Sequence, residues 1–255
     1  MEIGAQLYTV RDFTKDEKGI RETLRKVKAL GFDTVQLSGL GPIDPADLAS
    51  LIDELGLKVC VTHVDFQRLR DDLSQVIREH KLYRCPSIGL SIMPEEYRKS
   101  IEGVRKFLTE IAPIAHEIKK AGLQFVYHNH NFEFCRFDDR TVMDVLIEES
   151  DPEEFHFLPD IYWLQLGGKD PARMIKKLSG RIEAVHFKDL TVDGFTPTFA
   201  ECGKGSLDLK SCWQACEEAG VRYVLIEQDR CKGDPFESLS ISYDYLKKLR
   251  EECGR

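Results

Sequence analysis

The hydrophobic positions of this chain fall into two alternating rhythms. Short, mostly apolar runs occur at 3–9 (IGAQLYT), 34–39 (TVQLSG), 58–64 (KVCVTHV), 87–92 (SIGLSI), 124–130 (QFVYHNH), 155–160 (FHFLPD), 182–189 (IEAVHFKD) and 223–229 (YVLIEQD). Strands buried on both faces read this way. Between them apolar residues recur at helical spacing, as Ile20, Leu24, Val27 and Leu30 do. That pattern predicts helices over roughly 16–30, 45–55, 68–81, 96–121, 140–149, 170–178, 207–219 and 235–251. The punctuation agrees. LGLK (55–58), AGLQ (121–124) and AGVR (219–222) each place Gly at a helix exit just before a strand. KDP (169–171) and GDP (233–235) offer Asp as an N-cap and Pro at the first helical position.

Strict alternation of strand and helix demands parallel strands joined by right-handed crossovers. Eight such units in 255 residues is the size of a (β/α)8 TIM barrel. A doubly wound open sheet would carry a Gly-rich phosphate turn after its first strand, and LYTVRDFTKD has none. No linker or low-complexity segment divides the chain, so residues 1–255 are expected to form a single TIM-barrel domain.

Composition narrows the function. The chain is 42% hydrophobic and 31% charged, as a globular protein should be, and its net charge is −8. Nucleic-acid binding requires a basic footprint that is missing here, so no nucleic-acid partner is expected. No apolar run approaches the ~18 residues of a membrane span, and MEIGAQLYTV lacks the basic and apolar regions of a signal peptide. The eight cysteines are scattered without a C-x-x-C pair, which predicts reduced thiols and a cytoplasmic protein. No dimer face can be read from one sequence, and a homo-oligomer stays open.

The polar residues gain meaning from the barrel, whose chemistry sits at the C-terminal ends of its strands. His63 ends the third predicted strand, His128 and His130 the fifth, Asp160 the sixth, His186 and Lys188 the seventh, Glu227 and Asp229 the eighth. A lone strand-end histidine is most often a hydrogen-bonded structural residue. Asp160 would serve as a helix cap, but the next predicted helix starts some ten residues later. Glu227 follows YVLI, and a buried, unpaired carboxylate is costly; a bound cation offsets that cost. Four adjacent strands that each end in a donor point to a divalent metal site. The nitrogen and oxygen donors suit Mn, Co, Zn, Fe or Mg. Such an ion acts as a Lewis acid on a sugar carbonyl while a carboxylate moves the proton.

YHNHNFEF, PDIYWLQLGGKDP, AVHFKD, CGKGSLD and VLIEQD occur in this order at the strand ends. With them the chain resembles, over its full length, the sugar phosphate isomerase/epimerase family with the xylose-isomerase-like barrel. That group includes inosose dehydratases and ketose 3-epimerases. The resemblance implies a single divalent ion, often manganese, at the barrel mouth. It implies Asp160, His186 and Glu227 as ligands. The fifth-strand ligand departs from the pattern: where many relatives read Glu-Asn-His, this chain reads His128-Asn129-His130. His128 would then replace a glutamate that in two-carboxylate epimerases exchanges protons opposite the one on strand eight. Either Glu133 folds back over the site as acid, base or ligand, or Glu227 is the one strong base with His130 or Lys188 as proton donor.

Around the metal, Lys188 shares a strand face with His186, as a site residue or as a surface partner of Asp189. His63 and Gln36 are expected against substrate hydroxyls, and Trp163 against the apolar face of a sugar. CGKGSLD (202–208) lacks the phosphate-loop patterns and reads as a loop with Ser206 or Asp208 near the next N-cap. The leading expectation is a metal-dependent isomerase or epimerase acting on a sugar, keto-sugar or inosose. The alternative is a lyase that dehydrates or β-eliminates a keto-sugar, keto-glycoside or inosose at the same site. An abasic-site endonuclease would need more ligands and a basic face. A non-catalytic sugar-binding barrel would need no converging ligands.

Overall fold

Eight parallel strands make the wall of the structure: β1 (Glu2–Gln6), β2 (Thr34–Leu37), β3 (Lys58–Val64), β4 (Ser87–Leu90), β5 (Gln124–His128), β6 (Phe155–Leu158), β7 (Ala184–Phe187) and β8 (Tyr223–Ile226). The computed structural model describes residues 1–254. Strands neighbour in the order β6-β5-β4-β3-β2-β1-β8-β7. The seam between β6 and β7 closes through two isolated parallel bridges, Phe157 with Ile182 and Asp160 with His186. Residues expected as ligands therefore stand side by side at the closing seam.

The chain packs two separate apolar cores. Val61, Val126, Leu158, Ala184, Tyr223 and Leu225 belong to a small cluster of their own, distinct from the large one that joins strands to helices. Side chains alternate across a strand. Two positions after Val61, Val126, Ala184 and Leu225 come His63, His128, His186 and Glu227, on the same inward face. An apolar layer thus floors the barrel and a polar layer sits above it, at the C-terminal ends.

Most predicted helices form where the pattern placed them, and several boundaries moved. The helix expected over 68–81 is interrupted at Asp72, whose φ −140 and ψ 33 are not helical, giving helices Phe66–Asp71 and Leu73–Leu82. The first strand stops at Gln6 instead of reaching residue 9, because the Gln6 side chain accepts from Tyr8 N and starts a 3-10 helix, Leu7–Phe13. The helix expected from 96 starts at Ile101, where Ser100 caps Gly103 N. A hairpin of Asp189–Asp193 with Thr196–Ala200 follows β7. Its two-residue Gly194-Phe195 turn, closed by the Asp193–Thr196 pair, has Gly194 at φ +59, and it was not among the expected elements. Among the described residues no helix is long and apolar enough to cross a membrane, and all eight cysteines are free.

Candidate metal centre

One donor atom from each of His128, Asp160, His186 and Glu227 lies within 4.8 Å of the other three, and all four residues are buried. His186 Nδ1 is 3.0 Å from Glu227 Oε2 and 3.5 Å from Asp160 Oδ2. Those three atoms have no hydrogen-bond partner. Orphaned polar atoms at this depth are expensive, and three converging on one point fit a divalent ion, so the cluster could hold a metal.

Hydrogen bonds behind the cluster orient its imidazoles. His186 Nε2 stands 2.7 Å from Gln36 Oε1, an acceptor, so Nε2 carries the proton and Nδ1 turns to the carboxylates. His128 Nδ1 stands 3.3 Å from the Leu158 carbonyl, which leaves Nε2 for the cluster. Burial, reinforced by His186, holds the His128 pKa well below its usual value, so this ring is neutral and ready to ligate. Burial pulls on His186 in the same direction, but Glu227 and Asp160 outweigh it and raise its pKa. An ion at Nδ1 would displace that proton.

Lys188 completes the cluster. Its side chain is 1% exposed, and its ammonium lies 3.0 Å from Asp160 Oδ2, 2.9 Å from Glu227 Oε2 and 2.6 Å from Asp229 Oδ2. Burial works against its charge, but these three carboxylates outweigh burial and keep it protonated. Burial likewise pushes Glu227 up, yet Lys188 and His186 hold it below the usual carboxylate range. Glu227 is therefore an ionised carboxylate beside a fixed cation.

Residues 24–249 match a family described as the xylose isomerase-like TIM barrel. The chain belongs to this family. An inosose dehydratase of Lacticaseibacillus casei is 22% identical over 268 aligned positions, covering 90% of this chain and 89% of that protein. A sugar phosphate isomerase/epimerase from Parabacteroides distasonis shares the fold with a TM-score of 0.81 at 22% identity, covering 97% of this chain and 98% of that one. The IolI protein, solved with a bound zinc atom, has a TM-score of 0.75 at 14% identity, covering 98% of both chains.

In this xylose isomerase-like barrel the expected site residues meet different fates. Glu133 is not brought to the cluster. It sits in a 3-10 turn, Phe132–Phe134, fully buried, with Oε1 accepting from Tyr127 Oη at 2.7 Å and Oε2 from His130 N at 2.8 Å. Tyr127 alternates with His128, so its ring faces the helices, and Glu133 follows it outward. Gln36 was expected against substrate, but it faces inward, fully buried, and serves His186 instead. Asp160 does cap a helix, contrary to the expectation: Ile161–Leu166 starts at once, and Oδ1 accepts from Tyr162 N and Trp163 N while Oδ2 faces the cluster.

His63 lies close to the cluster, its ring 5.1 Å from that of His128 and 5.7 Å from that of His186, and these three also form a possible donor trio. His130 packs at 4.8 Å on His128 and 5.4 Å from Trp163. Burial, with Lys188 adding to it, pulls His130 down to about 4, so it is neutral at ordinary pH. Trp163, Tyr162 and the hairpin's Phe199 form an aromatic wall, and Lys188 Nζ is 5.4 Å from the Trp163 ring centre. Lys188 does not pair with Asp189, which points the other way and accepts backbone N–H groups from Gly203, Gly205 and Leu207. That carboxylate organises the CGKGSLD loop, and Asp208 caps the following helix as expected. Asp229 gained no role from the sequence, although its spacing from Glu227 repeats that of Lys188 from His186.

Proposed function

We propose that this protein is a metal-dependent enzyme that enolises a small polyhydroxy ketone, a keto-sugar or inosose, and expels water from the neighbouring carbon. The observation that carries this is the one-sidedness of the charged groups. Asp160, Glu227 and Asp229 gather round Lys188 on the side of β6, β7 and β8, while β5 presents a neutral imidazole. Epimerisation by two carboxylates needs a base on each face of the substrate, and Glu133 does not supply the second. A syn elimination needs one base and one acid on a single side. The inosose dehydratase likeness supports that preference over the epimerase expected first.

A divalent ion held by His128, Asp160, His186 and Glu227 would supply Lewis-acid polarisation of the substrate carbonyl. Manganese remains the expected ion, and zinc, found in the IolI protein, is the alternative. Glu227 turns Oε2 to the cluster, which leaves Oε1 to take the proton beside the carbonyl. Lys188 donates a proton to the departing hydroxyl, which leaves as water. Once the product leaves, exchange with solvent takes the proton from Glu227 and returns one to Lys188, which restores both groups. His130, neutral, hydrogen-bonds a sugar hydroxyl, Trp163 packs the apolar ring face, and His63 meets a further hydroxyl. The free thiols fit a reducing cytoplasm.

Isomerisation is the second reading, because the adjacent Glu227 and Lys188 could return the proton to the neighbouring carbon with nothing leaving. NMR of metal-loaded protein with inososes and keto-sugars in D2O separates the two. Loss of water supports the dehydratase, and deuterium incorporation without loss supports the isomerase. Glu227→Gln should lower turnover by at least about a hundredfold with the fold intact; full activity in that variant removes Glu227 from its role.

A further inference from the structure

Lys188 and a divalent ion want the same two oxygens. Nζ lies 3.0 Å from Asp160 Oδ2 and 2.9 Å from Glu227 Oε2, and these are the oxygens expected on the ion. Neither contact has hydrogen-bond geometry, whereas the one to Asp229 Oδ2, at 2.6 Å, does. Charge makes the same point. Three buried or half-buried carboxylates face one ammonium, so with both histidines neutral two negative charges are uncompensated. A divalent ion balances them only if Lys188 stays inside as well, and only if all three carboxylates are present.

We propose that Asp229 is a seat for Lys188 that lets the lysine and a divalent ion share one pocket. As the ion takes Asp160 Oδ2 and Glu227 Oε2, Nζ withdraws onto Asp229. The seat is rigid. Arg11 Nη2 donates to the Asp229 carbonyl at 2.9 Å, and Thr9 Oγ1 accepts from Gln228 N at 3.0 Å. The first helical turn of the chain thereby clamps the end of β8 while the Asp229 carboxylate stays free for the ammonium. The Trp163 and Phe199 rings, 5.4 and 5.9 Å from Nζ, give the withdrawn charge an aromatic face. Only the flexible end of the lysine stem has to move. Asp229 is thus a positioning residue for both cations, and it need not touch the ion.

The inference rests on the metal reading, and a double-mutant cycle tests the two separately. Wild type, Asp229→Asn, Lys188→Met and the double variant are stripped of metal and titrated with Mn2+ by calorimetry. Asp229→Asn should weaken Mn2+ binding at least tenfold when Lys188 is present and less than threefold when it is absent. Equal losses in both backgrounds mean that Asp229 acts only as a distant negative charge, and overturn the proposal. Absence of Mn2+ binding in the wild type overturns the metal centre itself. If Lys188→Met fails to fold by circular dichroism, Lys188→Gln carries the cycle. Asp229→Glu, which keeps the charge within reach, should recover affinity to within threefold.

Discussion

Glu133 offers a test of the site's architecture that does not depend on activity. It is fully buried, and its oxygens bind Tyr127 Oη and His130 N. Burial pushes its pKa up from 4.5 to about 7, with the Tyr127 and backbone hydrogen bonds pulling back. The folded pKa is the higher one, so the stabilising contribution is complete below 4.5 and is lost as pH rises through about 7. The gap is worth about 3 kcal/mol at 1.36 kcal/mol per pKa unit. Gln does not titrate. In Glu133→Gln the amide oxygen can accept from His130 N and the amide nitrogen can donate to Tyr127 Oη. The exchange should cost only about 1 kcal/mol while the native acid is neutral.

The variant should therefore be less stable than the wild type by about 1 kcal/mol near pH 4.5. It should be more stable by about 2 kcal/mol near pH 8, the difference of those two terms. Urea unfolding followed by far-UV circular dichroism across that range measures it, because every other titrating group cancels in the comparison. A stability difference that does not change with pH would show that Glu133 is not held in a carboxylate-hostile site, and the assignment of a structural role to it would fall.

Three further outcomes are expected. Gly167→Ala places a Cβ into the Phe134 ring, at a backbone φ of −76 that any residue adopts, so the cost is pure overpacking. About 1–3 kcal/mol is expected, and an unchanged calorimetric Tm would refute the packing. Asp189→Ala removes the acceptor shared by Gly203 N, Gly205 N and Leu207 N. It should cost about 3 kcal/mol and expose 201–207 to limited proteolysis; an equally resistant loop would deny Asp189 that role. Mn2+ at a hundredfold excess over its Kd should stabilise metal-stripped protein by about 2.7 kcal/mol, and His128→Ala should lower the bound metal. A thermal midpoint indifferent to Mn2+, Co2+ and Zn2+ would sink the metal centre.

His128, His186 and Glu227 were legible because a strand end in a barrel is a physical address. Each follows an inward apolar residue by two positions, and inward polar groups at that end converge whatever the loops do. Lys188 was legible as a neighbour of His186 on one face. Its three carboxylates were not, since strands β6, β7 and β8 meet only when the barrel closes. Glu133 could not be placed from the sequence, because a 3-10 turn of three residues, Phe132–Phe134, turns it away from the direction the strand suggests. Gln36 depends on a register shift between Val35 and Gln36 that no local pattern announces.

Asp160 shows where reasoning by exclusion fails. Its distance from the next predicted helix argues against a cap and so favours ligation. The helix Ile161–Leu166 has six residues, too few to display a helical period, and all but Gln165 are apolar or aromatic. The cap exists, and it favours Asp160 as a candidate ligand. With Oδ1 fixed by Tyr162 N and Trp163 N, and Asp160 N fixed by Asn129 Oδ1 at 3.0 Å, the carboxylate cannot rotate. Oδ2 is then aimed at His186, Lys188 and Glu227 at little further entropic cost. Asn129 is the middle residue of the His128-Asn129-His130 stretch, so that stretch offers a candidate ligand and also locks the neighbouring strand's candidate ligand in place. A carboxylate has two oxygens, and at this position the structural and the chemical roles use one each.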